Sequence, residues 1–319
     1  MESLRGKRDQ RALSRLFSIV ENDESAAAEV MRLVGAENVH SYVIGITGPP
    51  GSGKSTLVDR LIRRFRTQGS RVGVIAIDPT SPFSGGALLG DRVRMQAHAG
   101  DEGVFIRSVG TRGVFGGLSR VTRRGIHLME VFGLDVIFVE TVGVGQTELD
   151  VMNVVDTVAL LLVPESGDAI QTLKAGLMEI ADIFVVNKSD RAGADVVARQ
   201  LRELVALGGP AAEDDWKIVV EQAQSENDIG VDQVYSRLIE HRAFLSQRGL
   251  QDQRRVNQRK KELLEIIETR FEKGVLSYLA REESMQILTR VEEGELDPYQ
   301  AADFIWGKLI KVLKEEHGT

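Results

Sequence analysis

One short stretch limits the possible folds more than any other. The β-branched, apolar run Tyr42–Thr47 leads directly into Gly48-Pro49-Pro50-Gly51-Ser52-Gly53-Lys54-Ser55, and a helix-like segment, Ser55–Thr67, follows. The spacing fits G-x-x-x-x-G-K-[ST], and a strand before it with a helix after it is the context that motif requires. Glycines at 48, 51 and 53 allow a tight turn in which successive backbone N–H groups face an anion. The helix that begins at Ser55 and Thr56 offers its positive end to the same anion. Lys54 is expected to bridge the β- and γ-phosphates of a nucleotide, and the Ser55 hydroxyl to ligate Mg²⁺.

The surrounding chain repeats the pattern. Val72–Asp78, Val104–Val109, Val136–Glu140, Val158–Val163, Ile183–Asn187 and Ile218–Val220 are further short apolar runs. Helix-like segments at Leu118–Phe132, Ala169–Met178, Asp195–Leu207 and Val231–Leu245 separate most of them. Strands alternating with helices predict an α/β fold of the P-loop NTPase kind, a mostly parallel sheet covered on both faces. Residues 1–40 read as a helical extension, with Leu13, Leu16, Phe17 and Val20 at helical spacing and a second helix over Ser25–Val34. Residues 41–247 hold the nucleotide-binding domain. From 248 to 319 the strand signal stops. Leu263, Ile266, Ile267 and Phe271 form one stripe, and Asp297-Pro298 opens a helix with apolar Phe304, Ile305, Leu309 and Val312. Two arrangements fit this tail: a helical pair folded back on the same core, or an arm that packs on a second subunit.

Composition removes several function classes. The chain has 319 residues, a net charge of -7 and no cysteine. The acidic balance argues against non-specific nucleic-acid binding. The lack of cysteine excludes disulfides, thiol catalysis and thiolate metal sites, and fits a reducing cytoplasm. The five histidines, at 40, 98, 127, 241 and 317, show no ligand spacing and read as ordinary surface or core residues. The longest apolar run, Val158–Val163, is far short of the roughly 20 residues of a membrane span, and the charged N-terminus has no signal-like apolar stretch.

Further motifs fall at strand ends. Asn187-Lys188-Ser189-Asp190 closes one strand. There the Asp190 carboxylate can accept from N1–H and the exocyclic amine of guanine, Asn187 can contact N7, and the Lys188 stem can lie along the base. Adenine lacks that donor pair, so the motif selects GTP over ATP. Glu140-Thr141-Val142-Gly143 closes another strand. Glu140 stands where an acid holds Mg²⁺ directly or through water, and the Gly143 amide is placed to sense the γ-phosphate. Asp78 ends Val72–Ile77 at the same edge and could hold a metal-bound water or orient the attacking one. The expected catalytic set is Lys54, Asp78, Glu140 and Gly143. In Ras a water-orienting Gln directly follows the glycine; here Val144 does, and Gln146 is displaced, so hydrolysis is expected to be slow without a partner. Arg92, Arg94, Arg107 and Arg112 are internal arginines that could steer phosphate or complete catalysis. Ser81–Gly90, Val142–Gly145 and Pro164–Asp168 read as loops that respond to the γ-phosphate.

At this point a resemblance becomes specific. Asp78-Pro-Thr-Ser-Pro-Phe-Ser-Gly-Gly-Ala-Leu-Leu-Gly-Asp-Arg-Val-Arg-Met95 resembles the second segment of the MeaB/ArgK family, G-protein chaperones of cobalamin-dependent acyl-CoA mutases such as methylmalonyl-CoA mutase. Arg107–Gly113 and Glu140–Glu148 are similar to its next two motifs, and Asn187–Asp190 to its guanine motif. The resemblance implies a GTPase core with an N-terminal helical extension and a C-terminal dimerisation arm, hence a homodimer. It implies GTP or GDP and Mg²⁺ as cofactors, with gated delivery of adenosylcobalamin to a mutase and protection of that mutase. By position it assigns Lys54 and Ser55 to phosphate and Mg²⁺, Asp78 and Glu140 to the metal, Asp190 to guanine, and the second base-contacting loop to Gln224-Ser225-Glu226. Two other readings share the core: a nickel metallochaperone GTPase, which would need Cys or His clusters, and an ATP- or GTP-dependent kinase or transport ATPase.

Overall fold

The computed structural model describes residues 9–35, 41–78, 96–98, 100–110, 117–141, 143, 152–166, 180–207 and 215–316. The chain divides into two compact units, 1–252 and 253–319.

The first unit opens with α1 (Gln10–Asn22) and α2 (Glu24–Val34). Aspartates start both helices. Asp9 Oδ1 accepts from the N–H groups of Arg11 and Ala12, and Asp23 Oδ1 from those of Ser25 and Ala26, so donors that helix geometry leaves orphaned are satisfied. There follow β1 (Tyr42–Thr47), α3 (Lys54–Thr67), β2 (Val72–Asp78), β3 (Val104–Gly110), α4 (Gly117–Phe132), β4 (Val136–Glu140), β5 (Thr157–Leu162), β6 (Ile183–Val186), α5 (Ala194–Leu207), β7 (Val219–Gln222) and α6 (Val231–Gln247). The strands form one sheet in the order β3-β2-β4-β1-β5-β6-β7. Every pairing is parallel, with Ile46 opposite Glu140 and Ala76 opposite Glu140 in register.

Both faces are buried, which is why the strands read as continuous apolar runs rather than alternating ones. On one face, Tyr42, Ile44, Ile46, Val74 and Phe138 pack on Leu57, Leu61, Ile62 and Phe65 of α3 and on Val231, Val234 and Leu238 of α6. On the other, Val43, Ile75, Phe105 and Val139 pack on α4 and on Leu13, Phe17 and Val20 of α1. Farther along, Leu160, Phe184 and Val186 pack on α5. The N-terminal helices are therefore a sheet-covering layer. They are also ion-paired: Arg107 of β3 to Glu21 at 2.8 Å, and Arg124 of α4 to both Glu24 oxygens at 2.7 and 2.8 Å.

At the amino edge a buried chain of hydrogen bonds joins β1, β5 and α6. The Tyr42 hydroxyl donates to the Leu238 carbonyl (2.8 Å), which can only accept. Thr157 must then donate to Tyr42 (2.6 Å), and His241 Nδ1 must donate to Thr157 (2.7 Å). Burial pushes the Tyr42 hydroxyl above its usual pKa.

α7 (Leu250–Leu279) crosses the boundary between the units, and α8 (Glu282–Glu292) and α9 (Pro298–Glu316) follow. The sequence suggested a helical pair in this tail; α8 makes a third helix, between α7 and α9 in the chain. Asp297 caps α9 as expected, its carboxylate accepting from the Tyr299 N–H at 2.9 Å. Within the second unit Phe271 meets Trp306 edge-on at 5.7 Å. Leu263, Ile267 and Phe271 nevertheless remain 57%, 53% and 43% exposed. No helix among the described residues is long and apolar enough to cross a membrane.

Candidate functional site

Parallel strands put all their carboxyl ends on one edge, and open α/β sheets bind ligands there, where the strand order turns. In this sheet the turn is at central β1, with β4 and β2 on one flank and β5 and β6 on the other. Gly48–Gly53 connects β1 to α3 at that point. Gly48, Gly51 and Gly53 have φ values of 148°, 78° and 89°, in the region that only glycine adopts freely. Space adds a second constraint: a Cβ at Gly48 would collide with the Leu161 carbonyl, and one at Gly53 with Asn187 Nδ2.

Lys54 is buried and donates to the carbonyls of Gly48 (2.7 Å) and Pro49 (3.0 Å), so its ammonium lies inside the curve of the loop. Ser55 donates to Glu140 Oε1 at 2.6 Å, and both are buried. The β1–β4 register sets this contact, because Glu140 ends β4 beside Ile46. Thr47 and Thr141 lie 2.9 Å apart, and both donate to the Gly143 carbonyl, at 3.0 and 3.1 Å. The structure thus brings Lys54, Ser55, Glu140 and Gly143 together. Asp78 ends β2 opposite Gly110 at the same edge; its side chain lies outside the described residues.

The other flank holds the residues expected to face the base. Asn187 leaves β6 with its amide buried between two loops. Its Nδ2 donates to the Ser52 carbonyl at 2.7 Å, and its Oδ1 accepts from the Ser225 N–H at 3.0 Å and the Ser225 hydroxyl at 2.9 Å. One Nδ2 hydrogen is left over. Lys188 takes the left-handed conformation at φ 57°, and the chain turns so that the Asp190 side is exposed. Gln224, Ser225 and Glu226 form the adjoining loop, closed by a bridge between Gln224 and Ile229. Arg191 pairs with Glu165, in the short 3₁₀ turn Pro164–Ser166 after β5, and holds that carboxyl below its usual range.

Sequence reasoning missed two features. It did not see that Asn187 ties the phosphate loop to the Gln224–Glu226 loop. It also missed Arg60 of α3, which donates to the carbonyls of Ser225 (3.1 Å) and Glu226 (2.9 Å). Neither could be read from local pattern, because Arg60 and Ser225 are 165 positions apart. Of the four candidate arginines only Arg107 is described. It is committed to Glu21 and Ser18 and lies over the Phe17 ring, so it serves the N-terminal layer. Arg92, Arg94, Arg112, Gln146, the loop Ser81–Gly90 and the expected helix Ala169–Met178 lie outside the described residues, as does part of Val142–Gly145 and of Pro164–Asp168. His98 pairs with Asp59 at 2.9 Å, and His127 with the Gly35 carbonyl at 2.7 Å. Among the described residues no group of three or more His, Asp or Glu could hold a metal by itself.

Comparison with known proteins agrees with this fold. A protein of Pyrococcus abyssi named as a GTPase is 47% identical over 95% of this chain and 94% of its own length. GTPase ArgK of Escherichia coli is 36% identical over 80% of this chain and 78% of its own. The mouse methylmalonic aciduria type A homolog, mitochondrial, is 34% identical over 87% of this chain and 66% of its own. The crystal structure of an LAO/AO transport system kinase superposes with a TM-score of 0.68 at 25% identity, covering 97% of this chain and 95% of that one. The family profile described as methylmalonyl Co-A mutase-associated GTPase MeaB matches residues 13–279. With the phosphate loop, the buried Ser55–Glu140 pair and the Asn187–Asp190 turn on one sheet edge, the chain belongs to the MeaB family of P-loop GTPases.

Proposed function

We propose that this protein is a regulatory GTPase that gates adenosylcobalamin delivery to a cobalamin-dependent acyl-CoA mutase of the methylmalonyl-CoA type, and protects that mutase. The observation that carries the reading is the family match over residues 13–279, joined to a site that can hold a guanine nucleotide. The names of the relatives support the partner: the family profile is described as mutase-associated, and the mouse relative is named for methylmalonic aciduria.

The site's residues suit the roles the sequence assigned them. The loop's N–H groups and the start of α3 hold the phosphates. Lys54 exchanges its loop carbonyls for the β- and γ-oxygens. The Ser55 hydroxyl and Glu140 carboxylate, 2.6 Å apart, are two hard oxygen donors of the kind Mg²⁺ takes, and Asp78 ends a strand at the same edge. Held by Ser55 and Glu140, Mg²⁺ would supply neutralisation of the phosphates' negative charge. Gly143, whose carbonyl is held by Thr47 and Thr141, turns its amide to the γ-phosphate. Asp190 pairs with N1–H and the exocyclic amine, and Asn187 gives its remaining hydrogen to N7. Val144 stands where Ras has its water-orienting Gln, so hydrolysis alone is slow and waits for the partner. The exposed apolar residues Leu263, Ile267 and Phe271 supply a face on which a second copy packs, giving a homodimer that works in the cytoplasm.

Mixing the purified protein with each cobalamin mutase of its cell and following phosphate release at saturating GTP tests the reading. The cognate mutase should raise the rate about tenfold or more, and by linkage should change nucleotide affinity. No change in rate and no complex in either nucleotide state would refute the chaperone role. The transport-kinase name of the similar solved structure raises a second reading, an ATP-using kinase. ATP competing equally with GTP would favour it.

A further inference from the structure

The phosphate-loop helix reaches the base loop directly, and it does so through two arginines one turn apart. Arg64 pairs with Asp228 at 2.7 Å and Asp232 at 3.0 Å, fixing the far end of the loop and the start of α6. Arg60 uses its fork on the near end: Nε donates to the Ser225 carbonyl at 3.1 Å, and Nη2 to the Glu226 carbonyl at 2.9 Å. From the opposite side Asn187 accepts the Ser225 N–H. The peptides on both sides of Ser225 are therefore fixed.

This has a directional consequence. In a trans peptide the C=O and the following N–H point opposite ways. With the Ser225 carbonyl drawn toward α3, the Glu226 N–H is turned away from α3. The Ser225 and Asn227 N–H groups are already used, by Asn187 and by the Gln224 carbonyl. Glu226 is exposed, and its N–H has no acceptor among the described residues. An N–H held in a fixed direction beside the Asn187–Asp190 turn is what a purine 6-oxo group requires.

We propose that Arg60 is a positioning residue for base recognition, aiming the Glu226 N–H at guanine O6 while Asp190 reads the N1–H and 2-amino edge. This inference rests on the guanine-nucleotide reading of the site. It makes selection at C6 depend on the phosphate-loop helix, and selection at C2 independent of it.

Two GDP analogues separate the edges. 6-Thio-GDP keeps N1–H and the 2-amino group but offers a weaker acceptor at C6. IDP keeps O6 and lacks the 2-amino group. Dissociation constants for GDP, ADP, 6-thio-GDP and IDP are measured on the full chain and on Arg60→Ala. The variant should bind GDP about tenfold more weakly, lose most discrimination against 6-thio-GDP, and keep its discrimination against IDP. A merely structural arginine would weaken all four ligands together; that outcome, or an unchanged 6-thio-GDP ratio, overturns the proposal. If Arg60→Ala does not fold, Arg60→Lys carries the same test, since one ammonium replaces the fork: its 6-thio-GDP ratio should fall between one and that of the unmodified chain, and an unaltered ratio overturns the proposal. Absence of any GDP preference over ADP in the unmodified chain would instead refute the guanine reading itself.

Discussion

Replacing Asn187 with alanine should destabilise the protein before any nucleotide is added. The side chain makes three hydrogen bonds to other loops: to the Ser52 carbonyl at 2.7 Å, from the Ser225 N–H at 3.0 Å and from the Ser225 hydroxyl at 2.9 Å. The hydroxyl can rotate to another acceptor. The Ser52 carbonyl and the Ser225 N–H cannot, and both residues are buried. Leaving a buried backbone group unpaired costs about 1–3 kcal/mol, so two cost about 2–6 kcal/mol. For a domain of this size 1 kcal/mol lowers Tm by roughly 2–4 °C. The nucleotide-free variant should therefore melt at least about 4 °C lower, with a central expectation near 10 °C. Asn187→Asp should do no better, because a carboxylate oxygen would then face the Ser52 carbonyl. Circular-dichroism melts without nucleotide measure this directly. If Asn187 served only to contact the base, the nucleotide-free melts would coincide and the whole deficit would appear as a smaller GDP-induced shift. A nucleotide-free change under about 2 °C would refute the bridging argument.

Other substitutions address the remaining parts. Lys54→Ala should abolish the gain in affinity that the γ-phosphate gives, read as equal, weak binding of GTP and GDP by calorimetry. Asp190→Asn should move preference from guanine toward xanthine nucleotides, whose C2 carbonyl accepts from the new amide; unchanged GDP affinity would remove Asp190 from the base site. The Arg66 fork, at 2.7 Å on both oxygens, holds the Asp101 carboxyl below its usual range. A depressed carboxyl contributes stability above its unfolded value near 3.9 and loses it as pH falls below that. Asp101→Asn should thus lower Tm at pH 7, with the gap narrowing as pH falls below about 3.9; a constant gap would show that the ion pair contributes nothing. If the second unit is a dimer arm, the full chain should weigh about twice its 35.1 kDa by light scattering, and a chain ending at Asp252 should be a GTP-binding monomer.

The sheet was legible in the sequence because burial on both faces leaves each strand an unbroken β-branched run, and most ends fell within a residue or two. The largest shift among the strands is at the end of β7, expected at Ile218–Val220 and found at Val219–Gln222. It is an edge strand, so Glu221 and Gln222 reach the neighbours Arg237 and Asp195 from within it, and their polarity hid them. The phosphate loop was legible because its chemistry is contiguous. Lys54–Glu140 convergence followed once strand ends were assigned. The restraints on the base loop were not legible. Asn187 looked like a base contact alone, and nothing in the local pattern marked Arg60, because their partners depend on which loops the strand order brings together.

The covering of the sheet by α1 and α2 also sets a schedule for synthesis. These helices leave the ribosome before the sheet they cover, and the faces carrying Leu13, Phe17 and Val20 pack on residues that come much later. Glu24 meets Arg124 across 100 positions, and Arg107 meets Ser18 across 89. At roughly 5–20 residues per second, the N-terminal helices wait on the order of 5–20 s with their apolar stripes bare. Phe17 then lands on α4 at Gly125, where a Cβ would stand 2.6 Å from its ring. That glycine is the socket for a late docking event. Gly125→Ala should slow the closing step of folding and raise aggregation during expression more than it alters the finished nucleotide site.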